Sequence, residues 1–126
     1  MPSTFLGLRT TIYKVSDLTA SRQWYTKAFG IEPYFDEPFY VGFNIAGYEL
    51  GLLPEADSPE AKGKNVLTYW GVQDITVEYE RLLSLGAQPN ELPEDVGEGV
   101  MVATVIDPWD NIIGLIYNPY FKAAEM

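Results

Sequence analysis

Apolar positions along this chain switch between a two-residue and a helical period, and they do so twice. Leu8 to Val15 alternates β-compatible residues and predicts a strand. Asp17 follows as a helix N-cap, its carboxylate placed to accept from the first free backbone N–H groups. Leu18, Trp24, Tyr25, Ala28 and Phe29 mark one apolar helical face, and Gly30 stops the helix. Ile31 to Phe35 predicts a short strand, with Pro33 assigning it to an edge or a bulge. Phe39 to Ile45 and Tyr48 to Leu53 form a hairpin about Ala46-Gly47. A polar stretch without any period, Glu55 to Lys64, reads as a linker. The same order then returns. Val66 to Val72 predicts a strand, Asp74 a cap, and Val77, Arg81, Leu82 and Leu85 a helix ended by Gly86. A weak strand is expected over Ala87 to Asn90, and a solvated acidic loop over Glu91 to Glu98. Gly99 to Ile106 and Ile112 to Tyr117 make a last hairpin, turned by Asp107-Pro108-Trp109-Asp110-Asn111. The tail from Tyr120 on reads as peripheral.

Asp17 and Asp74 lie 57 positions apart, and Gly30 and Gly86 lie 56 apart. A period near half the chain signals duplication of one supersecondary unit. Each copy is β-α-β-β-β, with module one at about 5–54, a linker at about 55–64 and module two at about 65–119. A four-stranded sheet with a helix on one face leaves its other face uncovered. The expectation is therefore an α+β fold in a single domain, 1–126. In it, two tandem βαβββ modules form an open, cup-shaped eight-stranded barrel with helices outside. The inner faces would line a shared concave site.

Charge narrows the function. The chain carries 18 acidic and 8 basic residues, a net charge of −10. Phosphate binding needs a basic surface, so nucleic acid is disfavoured, as are acidic membranes. No apolar run is long enough to span a bilayer, and Met1-Pro2-Ser3-Thr4 does not start like a signal peptide, so a cytoplasmic location is expected. Histidine and cysteine are both absent. This removes Ser-His-Asp and Cys-His catalysis and the nitrogen and sulfur ligands of zinc, iron and nickel sites. The glycines are dispersed, with no phosphate-binding or dinucleotide fingerprint.

Val15-Ser16-Asp17-Leu18 with Ser21, Trp24-Tyr25 and Phe29-Gly30 resembles the vicinal oxygen chelate superfamily of glyoxalases, extradiol dioxygenases, fosfomycin-modifying enzymes and bleomycin resistance proteins. Asp107-Pro108-Trp109-Asp110-Asn111 is similar to that family's closing Asp-Pro-x-Gly-Asn turn, with Asp110 in place of glycine. The resemblance implies a divalent metal held from four strands, and the adjoining motifs transfer those places to Thr10, Gly51, Leu67 and Gly114. Two glycines, a leucine and a threonine make no ligand set. A slip of one or two residues would bring in Glu49, a single carboxylate. The resemblance therefore points to a metal-free branch with no cofactor.

Strand alternation extends the candidate lining: Ile12 and Lys14 with Thr10, Glu49 and Leu53 with Gly51, Tyr69 with Leu67, and Ile112 and Ile116 with Gly114. Met101 and Ala103, or their neighbours, would join from the penultimate strand, and Trp109 would overhang the mouth. Ligand-binding candidates are thus Thr10, Ile12, Glu49, Gly51, Leu67, Tyr69, Met101, Trp109, Gly114 and Ile116. At the two glycines, space left by missing ligands would admit a planar molecule. The cluster Tyr34, Phe35, Phe39, Tyr40, Phe43 and Tyr48 offers rings to stack on a flat or cationic guest. The expected function is sequestration of a small aromatic or cationic molecule by a homodimer. The alternative is an enzyme, a lyase, isomerase or dioxygenase type, metal-free or with a borrowed metal, acting on a small oxygenated substrate; for metal-free acid–base catalysis the candidates are Glu49 and Tyr69.

Overall fold

Both helices begin at an aspartate that closes the preceding strand. The computed structural model describes residues 3–55 and 61–121. Strand β1 (Thr10–Val15) leads into helix α1 (Leu18–Phe29), where Asp17 accepts from the Ala20 N–H at 3.0 Å. Strand β5 (Tyr69–Gly71) leads into helix α2 (Ile75–Ser84), where Asp74 accepts from the Val77 N–H at 3.1 Å. Gly30 ends α1 at φ 69°, a left-handed conformation that is strained for a residue with a Cβ.

The chain divides into two compact units, Met1–Pro59 and Glu60–Met126, a division inside the predicted linker. Part of that linker, 56–60, lies outside the described residues, as does the tail beyond Phe121. In the first unit β2 (Phe35–Glu37), β3 (Tyr40–Ile45) and β4 (Tyr48–Pro54) complete a sheet of order β1-β4-β3-β2. The second unit repeats it with β6 (Gln88–Gly97), β7 (Val100–Ile106) and β8 (Ile112–Tyr117), in the order β5-β8-β7-β6. In each unit the first strand pairs with the last in parallel, while the other pairings are antiparallel. A helical crossover makes that parallel pairing possible. The fold is α+β, a βαβββ unit made twice.

Register divides each sheet into a helix-bearing face and an open one. Val41 lies opposite Leu52 and Phe43 opposite Leu50, and all four are buried with Tyr13, Val15 and the α1 residues Ser21, Tyr25 and Ala28. Tyr25 stacks on Tyr13 at 5.7 Å and on Phe29 at 5.9 Å. The second core joins Ala103, Val105, Ile113 and Leu115 to Ile75, Tyr79 and Leu82 of α2. Each aliphatic side chain removed from water in this way contributes about 2 kcal/mol. No described helix is long and apolar enough to cross a membrane.

Several elements depart from expectation. The strand predicted at Ile31–Phe35 starts at Phe35 instead, after Pro33. The strand predicted over Val66 to Val72 is only three residues long. Val77 is exposed, because the buried stripe of α2 runs through Ile75, Tyr79 and Leu82. The largest correction is at Glu91 to Glu98, which is not a loop: β6 runs unbroken from Gln88 to Gly97 beside β7 with three register shifts. Prolines and acids argue against a central strand, but β6 is at the sheet edge, where bulges and prolines are tolerated. The buried Thr104 hydroxyl pins it, accepting from the Glu91 N–H and the Asn90 side-chain amide at 3.0 Å each.

Candidate functional site

On the open face of the first sheet, Thr10 lies opposite Glu49, and Ile12 and Gly42 both lie opposite Gly51. A carboxylate and two tyrosines converge there. Glu49 accepts a hydrogen bond on Oε1 from the Tyr34 hydroxyl and on Oε2 from the Tyr40 hydroxyl. Burial, then the bond to Glu49, raises the Tyr40 phenol well above its usual value. The bond to Glu49 also raises the Tyr34 phenol. Both phenols therefore stay protonated and donate.

The glycines are the floor of this group. A Cβ on Gly51 would lie 2.7 Å from Tyr40 Cζ, so the ring rests directly on the backbone. A Cβ on Gly42 would meet Glu49 Oε2 at 3.2 Å and Tyr34 Cε1 at 3.3 Å. The space expected above Gly51 is thus not vacant, because Tyr40 fills it. Tyr34 and Tyr40 were expected only as members of a stacking cluster of six aromatics, not as partners of Glu49, and Gly42 was not singled out. The signal was present in the hairpin: counting back from Ala46-Gly47 puts Gly42 opposite Gly51, a side-chain-free hole with Tyr40 beside it.

The second sheet repeats the device with different parts. Tyr69 lies opposite Gly114, whose N–H donates to the Thr68 carbonyl at 3.0 Å. A Cβ on Gly114 would meet that carbonyl oxygen at 2.6 Å and Tyr69 Cδ1 at 2.7 Å. No room exists above Gly114 either. Ile112 and Ile116 share its face, joined from β7 by Thr104 opposite Gly114 and Val102 opposite Ile116. Met101 does not join them: it lies opposite Tyr117, in phase with Ala103 and Val105 on the α2 side. Its neighbours Val102 and Thr104 take the place predicted for it. Leu67 precedes β5 and is partly exposed.

Trp109 sits half-buried in the β7–β8 turn. Asp107 organises that turn, its Oδ1 accepting from the N–H groups of Trp109 at 2.9 Å and Asn111 at 2.7 Å. Asp110 adopts φ 68°, the left-handed conformation for which glycine would be the default. Aspartate is among the few other residues that tolerate it.

A divalent metal, as the family resemblance implies, does not fit these residues. Two of the four implied positions are glycines covered by tyrosine rings, and Leu67 has no donor. Thr10 offers one neutral hydroxyl. Glu49 is hydrogen-bonded to two protonated phenols, and no cluster of three or more His, Cys, Asp or Glu exists among the described residues. Hard divalent cations need several deprotonated oxygens.

A family model, "Glyoxalase/Bleomycin resistance protein/Dioxygenase superfamily", matches residues 7–115. No curated protein gives a significant match. Among solved structures, a glyoxalase-related enzyme from Fulvimarina pelagi is similar at 21% identity and a TM-score of 0.76, over 95% of this chain and 94% of that one. A glyoxalase/bleomycin resistance protein/dioxygenase family enzyme from Burkholderia phytofirmans PsJN is similar at 16% identity and a TM-score of 0.74, over 86% and 95%. A glyoxalase/bleomycin resistance protein from Catenulispora acidiphila DSM 44928 is similar at 22% identity and a TM-score of 0.66, over 90% and 100%. At these identities the likeness is one of fold.

Proposed function

Because the chain belongs to the glyoxalase/bleomycin resistance protein/dioxygenase superfamily, we propose that it uses that scaffold to hold a small aromatic or cationic molecule without a metal. The observation that carries this reading is the pair Gly51 and Gly114. At the two places where the resemblance implies metal ligands, the chain has no side chain, and Tyr40 and Tyr69 lie over the backbone instead. What surrounds Glu49 on the open face of the first sheet is largely aromatic, suited to stacking and cation recognition. The excess of 18 acids over 8 bases favours a cationic guest over an anionic one.

Incubating the purified protein with Ni, Zn, Mn or Fe, then desalting and measuring the elements, is expected to leave no stoichiometric metal. A thermal-shift screen of small aromatic and cationic compounds is expected to find a stabilising ligand. At a hundredfold excess over Kd, such a ligand adds about 2.7 kcal/mol to stability. Tryptophan fluorescence should then report one-to-one binding with the compound recovered unchanged. Stoichiometric metal together with turnover would overturn the reading in favour of a lyase, isomerase or dioxygenase. A homodimer is part of the proposal, supported by the exposed edges and the solvated Phe5, Leu6 and Leu8. Sedimentation giving only monomer would remove it.

A further inference from the structure

Glu49 is a half-buried carboxylate whose charge no lysine or arginine offsets among the described residues. Arg22 donates to Asp36 at 2.5 Å and to Glu32 at 3.4 Å, and Arg81 to Glu78 at 2.8 Å. The partners of Glu49 are two neutral phenols, one on each oxygen. An ionised carboxylate has about four lone-pair directions, so each oxygen keeps one for another donor. Tyr34, which donates to Glu49, is exposed by 62%; next to Tyr40 at 6.1 Å stands the Phe35 ring, and 6.0 Å from that the Phe39 ring, exposed by 63%. Exposing this much aromatic surface around an uncompensated negative charge is unfavourable unless something covers it.

The geometry points to a subsite for an organic ammonium group at Glu49, walled by Tyr34, Phe35, Phe39 and Tyr40. It rests on the binding reading above and gives that guest a chemical class. Ring faces are negative at their centres and attract a diffuse cation, while the carboxylate supplies full charge. A compact metal ion would be served poorly, since both flanking oxygens carry protons and no second carboxylate joins them. An anion would be repelled. The glycine floor keeps the group together, because a Cβ at Gly42 would press on Glu49 and on both tyrosine rings.

The test is an NMR titration of the intact chain with choline and with its uncharged isostere 3,3-dimethylbutan-1-ol, following the amides of Gly42 and Gly51. Saturable shifts are expected with choline, and binding of the neutral compound about tenfold weaker. Glu49→Gln should weaken choline about tenfold, the worth of a charge-assisted contact. Phe39→Ala, at an exposed position that leaves the core intact, should weaken it severalfold. Equal binding of both compounds, or choline affinity unchanged in both variants, overturns the subsite. So does displacement of choline by stoichiometric magnesium or zinc. If choline fails while neutral aromatics from the thermal-shift screen bind, the subsite falls and sequestration stands. If choline binds as described while a screened compound is turned over, sequestration falls and the subsite stands.

Discussion

Gly51 and Gly114 are alike in sequence and differ in what opposes them, so the same substitution should separate them. Gly51→Ala presses on the far end of the Tyr40 side chain, which can swing away. Gly114→Ala presses on the Thr68 carbonyl within the parallel ladder, where backbone must move. Urea denaturation should show a loss of about 1 kcal/mol for the first and about 3 kcal/mol for the second. The tyrosines give a pH signature. Tyr34 and Tyr40 have phenol pKa values raised above the unfolded value of 10.0 by Glu49 and, for Tyr40, by burial. Their contribution to stability is therefore complete below about pH 10 and is lost as pH climbs through the higher folded values. Melting curves taken into the alkaline range should fall less steeply for the double variant Tyr34→Phe, Tyr40→Phe. At this scale strand alternation in the sequence puts Glu49 on the same face as Gly51, as the register does, but does not say what touches them. Which of six clustered aromatics turns towards Glu49 depends on the entry into β2, which Pro33 displaced.

Elements were the most legible level, because they are written in local chemistry. Asp17 and Asp74 cap as predicted, and replacing either with Ala should cost about 1 kcal/mol in chemical denaturation. Ala46 and Gly47 make the expected turn with φ of 51° and 95°. The α2 core contains one mismatch: the Tyr79 hydroxyl is buried and has no hydrogen-bond partner among the described residues. Tyr79→Phe removes that desolvated group and keeps the ring, so it should raise stability by about 1 kcal/mol, read as a higher melting temperature. If the melting temperature falls, the hydroxyl has a partner after all. The element whose extent sequence reading missed is β6, expected only over Ala87 to Asn90, because proline and acid content outweighed pairing beyond it. Partner strands, not propensity, decide an edge strand, and no local pattern records that Thr104 will pin Glu91 and Asn90.

For the molecule as a whole, duplication was visible in the 57-residue spacing of the caps, and the two sheets repeat one strand order. Function was less legible, since the repeat fixes a scaffold and says little about its guest. One consequence of β6 reaches beyond binding. It is the outermost strand of its sheet and presents Leu92 and Val96 to solvent. Pro89 and Pro93 withhold two amide donors, and the charges of Glu91, Glu94 and Asp95 disfavour an incoming chain. The net charge of the whole chain, which also keeps copies apart, vanishes only as the pH falls to the sequence pI near 4.2. Light scattering should stay flat at neutral pH and rise as the pH approaches the pI, later if Val96 is replaced by Lys. An acidic, proline-broken border of this kind is expected to stop copies of the chain from adding strand to strand into filaments.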